Sequence, residues 1–134
     1  MYRVLIIDDE EPLREAIHIL GDWEGLGVSE VREATDGKAG LELLRRERFD
    51  LVLVDMKMPE LSGAELLQIA EQEFPDLLLI VISGYNDFEY TRQAIRSKVV
   101  DYLLKPVNRT DLNLALRKAV GGCWRPSGSG RASS

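Results

Sequence analysis

Four stretches of the chain are dominated by apolar residues, at Val4–Ile7, Leu51–Val54, Leu77–Ile82 and Val99–Leu104, and a weaker alternating one lies at Val28–Ala34. Runs without apolar–polar alternation are the pattern of strands covered on both faces, which favours a parallel sheet. Between the runs the spacing changes. Leu13, Ala16, Ile17 and Leu20 share one face of a helix, as do Leu112, Ala115, Leu116 and Ala119. Ser62-Gly63-Ala64-Glu65 has the form of a capping box, in which Ser and Glu satisfy backbone donors ahead of Leu66 and Leu67. Further helices are predicted over 37–47 and 87–97. The order is five βα units, which predicts a doubly wound α/β sandwich. Sheets of this kind bind ligands beyond the carboxyl ends of their strands, where the strand order reverses.

Composition narrows the setting. The 134 residues suffice for one domain with a single substantial core. At 45% apolar and 30% charged, the chain reads as soluble and globular rather than disordered. No apolar run reaches the roughly 18 residues that span a bilayer, and the N-terminus lacks the pattern of a signal peptide, so no membrane partner is expected. The 17 basic and 23 acidic residues leave a net charge of −6, which argues against unaided nucleic-acid binding. The single cysteine, Cys123, excludes an internal disulfide and fits a reducing, cytoplasmic compartment.

The chemistry concentrates where the apolar runs stop. Val4–Ile7 runs straight into Asp8, Asp9, Glu10 and Glu11; the later runs end in Asp55, in Ser83 and in Lys105-Pro106. In a parallel sheet these ends share one edge, so residues far apart in sequence converge. Taken singly, Asp and Ser at strand ends are ordinary caps and turn residues. Together, three carboxylates, a hydroxyl and an ammonium are hard to explain as capping. Clustered carboxylates raise one another's pKa unless a cation is present. Mg²⁺ suits them, because it takes one or two carboxylates, keeps waters and bridges to phosphate oxygen. A carboxylate is also a nucleophile able to form an aspartyl phosphate. Lys105 would then neutralise one phosphoryl oxygen, and the Ser83 hydroxyl would donate to another. Asp8 and Asp9 are expected to hold the metal.

Over about residues 2–120 the chain resembles the CheY-like receiver domain of two-component response regulators. The motifs that carry the resemblance are Ile6-Ile7-Asp8-Asp9-Glu10, Asp55–Gly63 (DMKMPELSG), Ile82-Ser83-Gly84 and Asp101–Pro106 (DYLLKP). The resemblance implies a five-stranded parallel sheet of order 2-1-3-4-5 with helices on both faces. It implies that Asp55 is the phosphoacceptor, Lys105 the family's lysine, Ser83 the switch hydroxyl and Tyr102 the switch aromatic. Mg²⁺ contacts would come from Asp9, Asp55 and the Lys57 backbone carbonyl, with Asp8 acting through water. Lys57 and Tyr85, two residues beyond Asp55 and Ser83, would influence the lifetime of the aspartyl phosphate. The Lys105–Pro106 bond is expected to be cis. The implied function is a signalling domain that takes a phosphoryl group from a sensor histidine kinase and promotes its own phosphorylation and dephosphorylation, rather than an enzyme. A phosphorylation-dependent homodimer is among the partner states this implies. Ser83–Thr91 (SGYNDFEYT) is similar to receivers that precede an AraC-type helix-turn-helix domain, which implies a role in transcription through a further, C-terminal domain.

Other residues carry less. His18, the only histidine, flanks the apolar face of the first helix and is expected to be a surface or boundary residue; Trp23 is expected to pack the end of that helix. Pro59 would stiffen the loop after Asp55 by fixing φ. Glu10 and Lys57 are either solvated charges or part of the acidic pocket. Tyr85, Phe88 and Tyr90 are expected in packing or at a partner surface. The domain is expected over 1–120, with 121–134 (GGCWRPSGSGRASS) a flexible linker or an expression-derived tail. Two rival functions fit less well. A haloacid-dehalogenase-type phosphatase carries D-x-D after its first strand, where this chain has Asp8-Asp9-Glu10. A flavodoxin-like carrier needs a phosphate-cradling loop there, and acids have the wrong sign for that.

Overall fold

Residues in successive positions of a strand point to opposite faces of the sheet. In the central strands of this protein both sets are buried. A computed structural model describes residues 2–56, 61, 63–84 and 99–120. It contains the strands β1 (Tyr2–Ile7), β2 (Val28–Ala34), β3 (Leu51–Asp55), β4 (Leu78–Ser83) and β5 (Val99–Leu104). All neighbours are parallel, and the order is β2-β1-β3-β4-β5. The described helices are α1 (Glu11–Leu20), α2 (Gly37–Arg46), α3 (Gly63–Glu73) and α4 (Arg109–Val120). The helix predicted over 87–97, Ser62 of the predicted capping box, Lys57, Pro59, Tyr85, Phe88, Tyr90 and the segment 121–134 lie outside the described residues.

The period of two splits the core in two. Leu5, Ile7, Val52, Val54, Leu79 and Val81 face α2 and α3, whose Leu41, Leu44, Leu66, Leu67 and Ala70 cover them. Val4, Ile6, Leu51, Leu53, Ile80 and Ile82 face α1 and α4, which contribute Ile17, Leu112, Ala115 and Leu116. The weakly alternating Val28–Ala34 forms the edge strand β2, which explains why its pattern differs from that of its buried neighbours. Strand boundaries move by one or two residues from the apolar runs: β1 begins at Tyr2, and β4 is shifted to end on Ser83. The polar residues at two strand ends are therefore part of the ladder itself, since Asp55 pairs with Ile82 and Ser83 with Leu104.

Local chemistry sets the helices. The Asp36 side chain accepts the Ala39 N–H at 2.8 Å as the N-cap of α2. A Cβ on Gly40 would overlap the Ile7 side chain, so the glycine lets α2 lie directly on β1. Asn108 caps α4 by accepting the Asp111 N–H at 2.8 Å. Buried Asn113 ties α4 to the end of α1: its amide donates to the Leu20 carbonyl at 3.0 Å, and its oxygen accepts from the Asp22 N–H at 2.9 Å. Trp23 packs there as expected, donating its indole N–H to the His18 carbonyl at 3.1 Å. No described helix is long and apolar enough to cross a membrane.

The chain leaves β1 toward β2 and then crosses to β3 on the other side. The order reverses between these strands, and the crevice beyond the carboxyl ends of β1 and β3 is the place where sheets of this kind bind ligands.

Candidate functional site

The residues that follow β1 and end β3 meet in that crevice. One carboxylate oxygen from each of Asp8, Asp9 and Asp55 lies within 4.8 Å of the other two. Asp8 and Asp55 are buried, whereas Asp9 is exposed. Asp8 is held by its own loop, because its Oδ1 accepts the Glu10 N–H at 2.8 Å as the chain turns into α1. Pro12 sits in the first turn of that helix, where no intrahelical donor is lost.

Burial raises the Asp8 pKa to about 7, with the neighbouring Asp55 and Asp9 charges adding to it; the Glu10 N–H and the Lys105 charge work the other way. Sequence reasoning assigned the effect to mutual repulsion. Removal from water is the larger cause. Asp8 Oδ2 is buried and meets no hydrogen-bond donor among the described residues. A buried, unpartnered carboxylate oxygen beside two further carboxylates fits a hard divalent cation such as Mg²⁺, which prefers oxygen ligands.

Lys105 approaches from the far side of the sheet. Its backbone N–H is pinned to the Ser83 carbonyl at 2.9 Å, continuing the β4–β5 ladder, and the Lys105–Pro106 bond is cis. From there the ammonium donates to Asp55 Oδ2 at 3.0 Å, and the two side chains together bridge the two interstrand gaps, about 4.8 Å each, between β5 and β3. Glu10 Oε1 lies 3.5 Å from the same ammonium, so Glu10 borders the pocket while its side chain stays exposed. Burial lowers the Lys105 pKa, but the Asp55 hydrogen bond and the charges of Asp55, Asp8 and Glu10 outweigh it and raise the pKa overall.

Ser83 is fully buried at the end of β4, and its hydroxyl oxygen has no hydrogen-bond partner among the described residues. Tyr102 is half-buried on the edge strand β5, packed against the α2–α3 side of the core. Of the residues singled out from the sequence, Asp8, Asp9, Asp55 and Lys105 thus come together, with Ser83 one residue past the partner of Asp55. Lys57 and Tyr85 lie outside the described residues.

Sequence reasoning missed Arg14 and Glu33. Arg14 is buried on α1, and its guanidinium donates to the Asp8 backbone carbonyl at 2.6 Å and, through Nε, to Glu33 Oε1 on β2 at 2.8 Å. The signal available was position: Arg14 stands three residues before the core residue Ile17 and beside Leu13, so a cation is set into the apolar face. His18 is half-buried, with Nε2 2.5 Å from Glu33 Oε2, although that nitrogen makes no directed hydrogen bond.

Fold and site define a doubly wound α/β domain with a three-carboxylate acidic pocket at its topological switch point. The family model for the response regulator receiver domain matches residues 4–117, and the chain belongs to that family. It is 39% identical over 112 residues to a response regulatory protein of Staphylococcus epidermidis, covering 84% of this chain and 44% of that protein. It is 35% identical over 120 residues to the transcriptional regulatory protein HptR of Staphylococcus aureus, covering 90% and 47%. Among solved structures it is similar to the receiver domain of AraT, a response regulator from Geobacillus stearothermophilus, with a TM-score of 0.85 and 40% identity over 91% of this chain and 95% of that one. A two-component transcriptional regulator AraC from Clostridium phytofermentans gives a TM-score of 0.80 at 28% identity, covering 90% and 93%. The chain thus spans less than half the length of these curated relatives. It is the receiver domain of a two-component response regulator.

Proposed function

We propose that this domain is activated by phosphorylation: Asp55 accepts a phosphoryl group from a sensor histidine kinase in a Mg²⁺-dependent reaction, and the domain then changes the surface it offers to its output. The observation that carries this reading is the convergence of the Asp8, Asp9 and Asp55 carboxylates with the Lys105 ammonium 3.0 Å from Asp55.

Asp55 ends a central strand paired on both sides, so its carboxylate is held in place before any reaction. One carboxylate oxygen attacks phosphorus, a P–O bond forms, and the P–N bond of the phosphohistidine breaks. The electron pair leaves on the imidazole, which takes a proton from solvent. Asp9, Asp55 and the Lys57 carbonyl would hold Mg²⁺, with Asp8 acting through water. Bound there, the ion supplies positive charge against the phosphoryl oxygens. Lys105 would pair with one phosphoryl oxygen while remaining tethered to the end of β4 by its backbone. The Ser83 hydroxyl, buried without a partner among the described residues, is available to donate to another. Its inward movement would let Tyr102 turn from its half-buried position into the core. Lys57 and Tyr85 would set how long the aspartyl phosphate survives by controlling access of water.

Two of these relatives are named as transcription regulators, which supports placing this domain in a longer protein that controls transcription. Labelling with acetyl phosphate followed by intact-mass measurement tests the proposal. Wild type gains one phosphoryl group in Mg²⁺ and none in EDTA, and Asp55→Asn gains none in either. Equal labelling of Asp55→Asn, or of wild type in EDTA, overturns it.

A further inference from the structure

We infer that Arg14 is a positioning residue for the acidic pair, acting through the Asp8–Asp9 peptide, with Glu33 on β2 as its anchor. The inference rests on the reading of Asp8, Asp9 and Asp55 as a cation site.

The geometry is a brace between three elements. Arg14 rises from the first turn of α1, and its backbone N–H bonds the Glu10 carbonyl at 3.2 Å. Its guanidinium donates to the Asp8 carbonyl at 2.6 Å and to Glu33 Oε1 at 2.8 Å. The Asp8 N–H is held by the Ala34 carbonyl of β2 at 3.2 Å. The backbone of Asp8 is therefore held on both sides, at the Ile7–Asp8 peptide by β2 and at the Asp8–Asp9 peptide by Arg14, just where the chain leaves the sheet.

That carbonyl matters because a peptide unit is planar and contains the Cα atoms of both residues it joins. Holding the Asp8 carbonyl fixes the plane from which both the Asp8 and the Asp9 side chains emerge. Two carboxylates that repel each other would otherwise relax by rotating this unit toward solvent. Arg14 prevents it without occupying the pocket, since its contact is to the backbone on the helix side. Glu33 offsets the charge of the guanidinium and sets its orientation, so the planar fork reaches Asp8 in one pose. Lysine could not reproduce this, because a single ammonium lacks the fixed spacing of two guanidinium donors. Partners that orient ligands from behind commonly contribute ten- to hundredfold in metal affinity.

The test compares wild type with Arg14→Lys and Glu33→Ala, neither of which is a member of the pocket. Mg²⁺ affinity is measured by calorimetry on protein shown to be folded by circular dichroism. The ¹⁵N amide signal of Asp9, whose N–H belongs to the braced peptide, is recorded in EDTA. A role confined to stability would lower the melting temperature and leave affinity and the Asp9 signal unchanged. The expected result is Mg²⁺ binding weakened about tenfold in Arg14→Lys and at least threefold in Glu33→Ala, with a displaced Asp9 signal in both. Affinity within threefold of wild type in folded Arg14→Lys overturns the inference. If Arg14→Lys does not fold, the same threshold applied to Glu33→Ala decides. Wild type that binds no Mg²⁺ refutes the reading of the site itself, and so is distinguishable from failure of the brace.

Discussion

Replacing Asp8 with asparagine is expected to stabilise the metal-free protein at neutral pH while removing its response to Mg²⁺. Asp8 is fully buried, and its pKa is raised from 3.8 to about 7. The folded state therefore binds the proton more tightly than the unfolded state. The stability contributed by protonated Asp8 is complete below pH 3.8 and is lost as the pH rises toward and through about 7. A displacement of this size, from 3.8 to about 7, corresponds to at most roughly 4 kcal/mol. Water reaching the pocket beside exposed Asp9 screens it, and about 2 kcal/mol is the working figure. Asparagine keeps the oxygen that accepts the Glu10 N–H, and its amide can donate to the remaining carboxylates. Urea denaturation in EDTA at pH 4.5, 6 and 8 measures the difference, and titrations common to both proteins cancel. The variant should exceed wild type by about 2 kcal/mol at pH 8, shrinking to about half of that at pH 4.5. Saturating Mg²⁺ should raise the stability of wild type and have far less effect on the variant. A difference no larger at pH 8 than at pH 4.5, or a variant less stable at pH 8, would refute the assignment of a buried, costly carboxylate.

Ser83→Ala removes a buried hydroxyl with no partner among the described residues, so the unphosphorylated protein should keep or gain up to about 1 kcal/mol of stability. In the same variant the phosphorylation-linked movement of the Tyr102 ring signals in NMR should largely disappear. Movement equal to wild type would show that Ser83 is not the coupling element. Lys105→Ala should leave the domain folded and able to bind Mg²⁺ but abolish the conformational response to phosphorylation. Because the Lys105 pKa is raised, its own contribution to stability is full below 10.5 and fades as pH climbs past the folded value, which an alkaline denaturation series compared with Lys105→Ala will show. Asn113→Ala breaks the hydrogen bonds joining α4 to Leu20 and Asp22 and should cost about 2–3 kcal/mol in urea unfolding with an unchanged slope, leaving phosphorylation of Asp55 intact.

Much of this protein was legible from the order of its residues, because the signals are local. Continuous apolar runs mark Val4–Ile7 and Leu51–Val54 as doubly covered strands, and the weaker alternation of Val28–Ala34 marks a strand with one side less covered. The same locality places Asp8, Asp9, Asp55, Ser83 and Lys105 at strand ends, and parallel connectivity requires those ends to share an edge. What the pattern does not carry is distance across the sheet. Only the strand order β2-β1-β3-β4-β5 puts Asp55 beside the acidic pair and makes Lys105 reach past β4 to meet it. Burial of Asp8 is likewise tertiary, since adjacent Asp9 has the same side chain and stays exposed. Arg14 was overlooked because charge within an apolar helical face has no meaning until a backbone carbonyl and Glu33 are placed against it. Periodicity reports which face of an element is covered, and it does so through nearest neighbours in the chain. Hydrogen bonds and pKa depend on atoms brought together from different elements, so they are decided only when the elements pack.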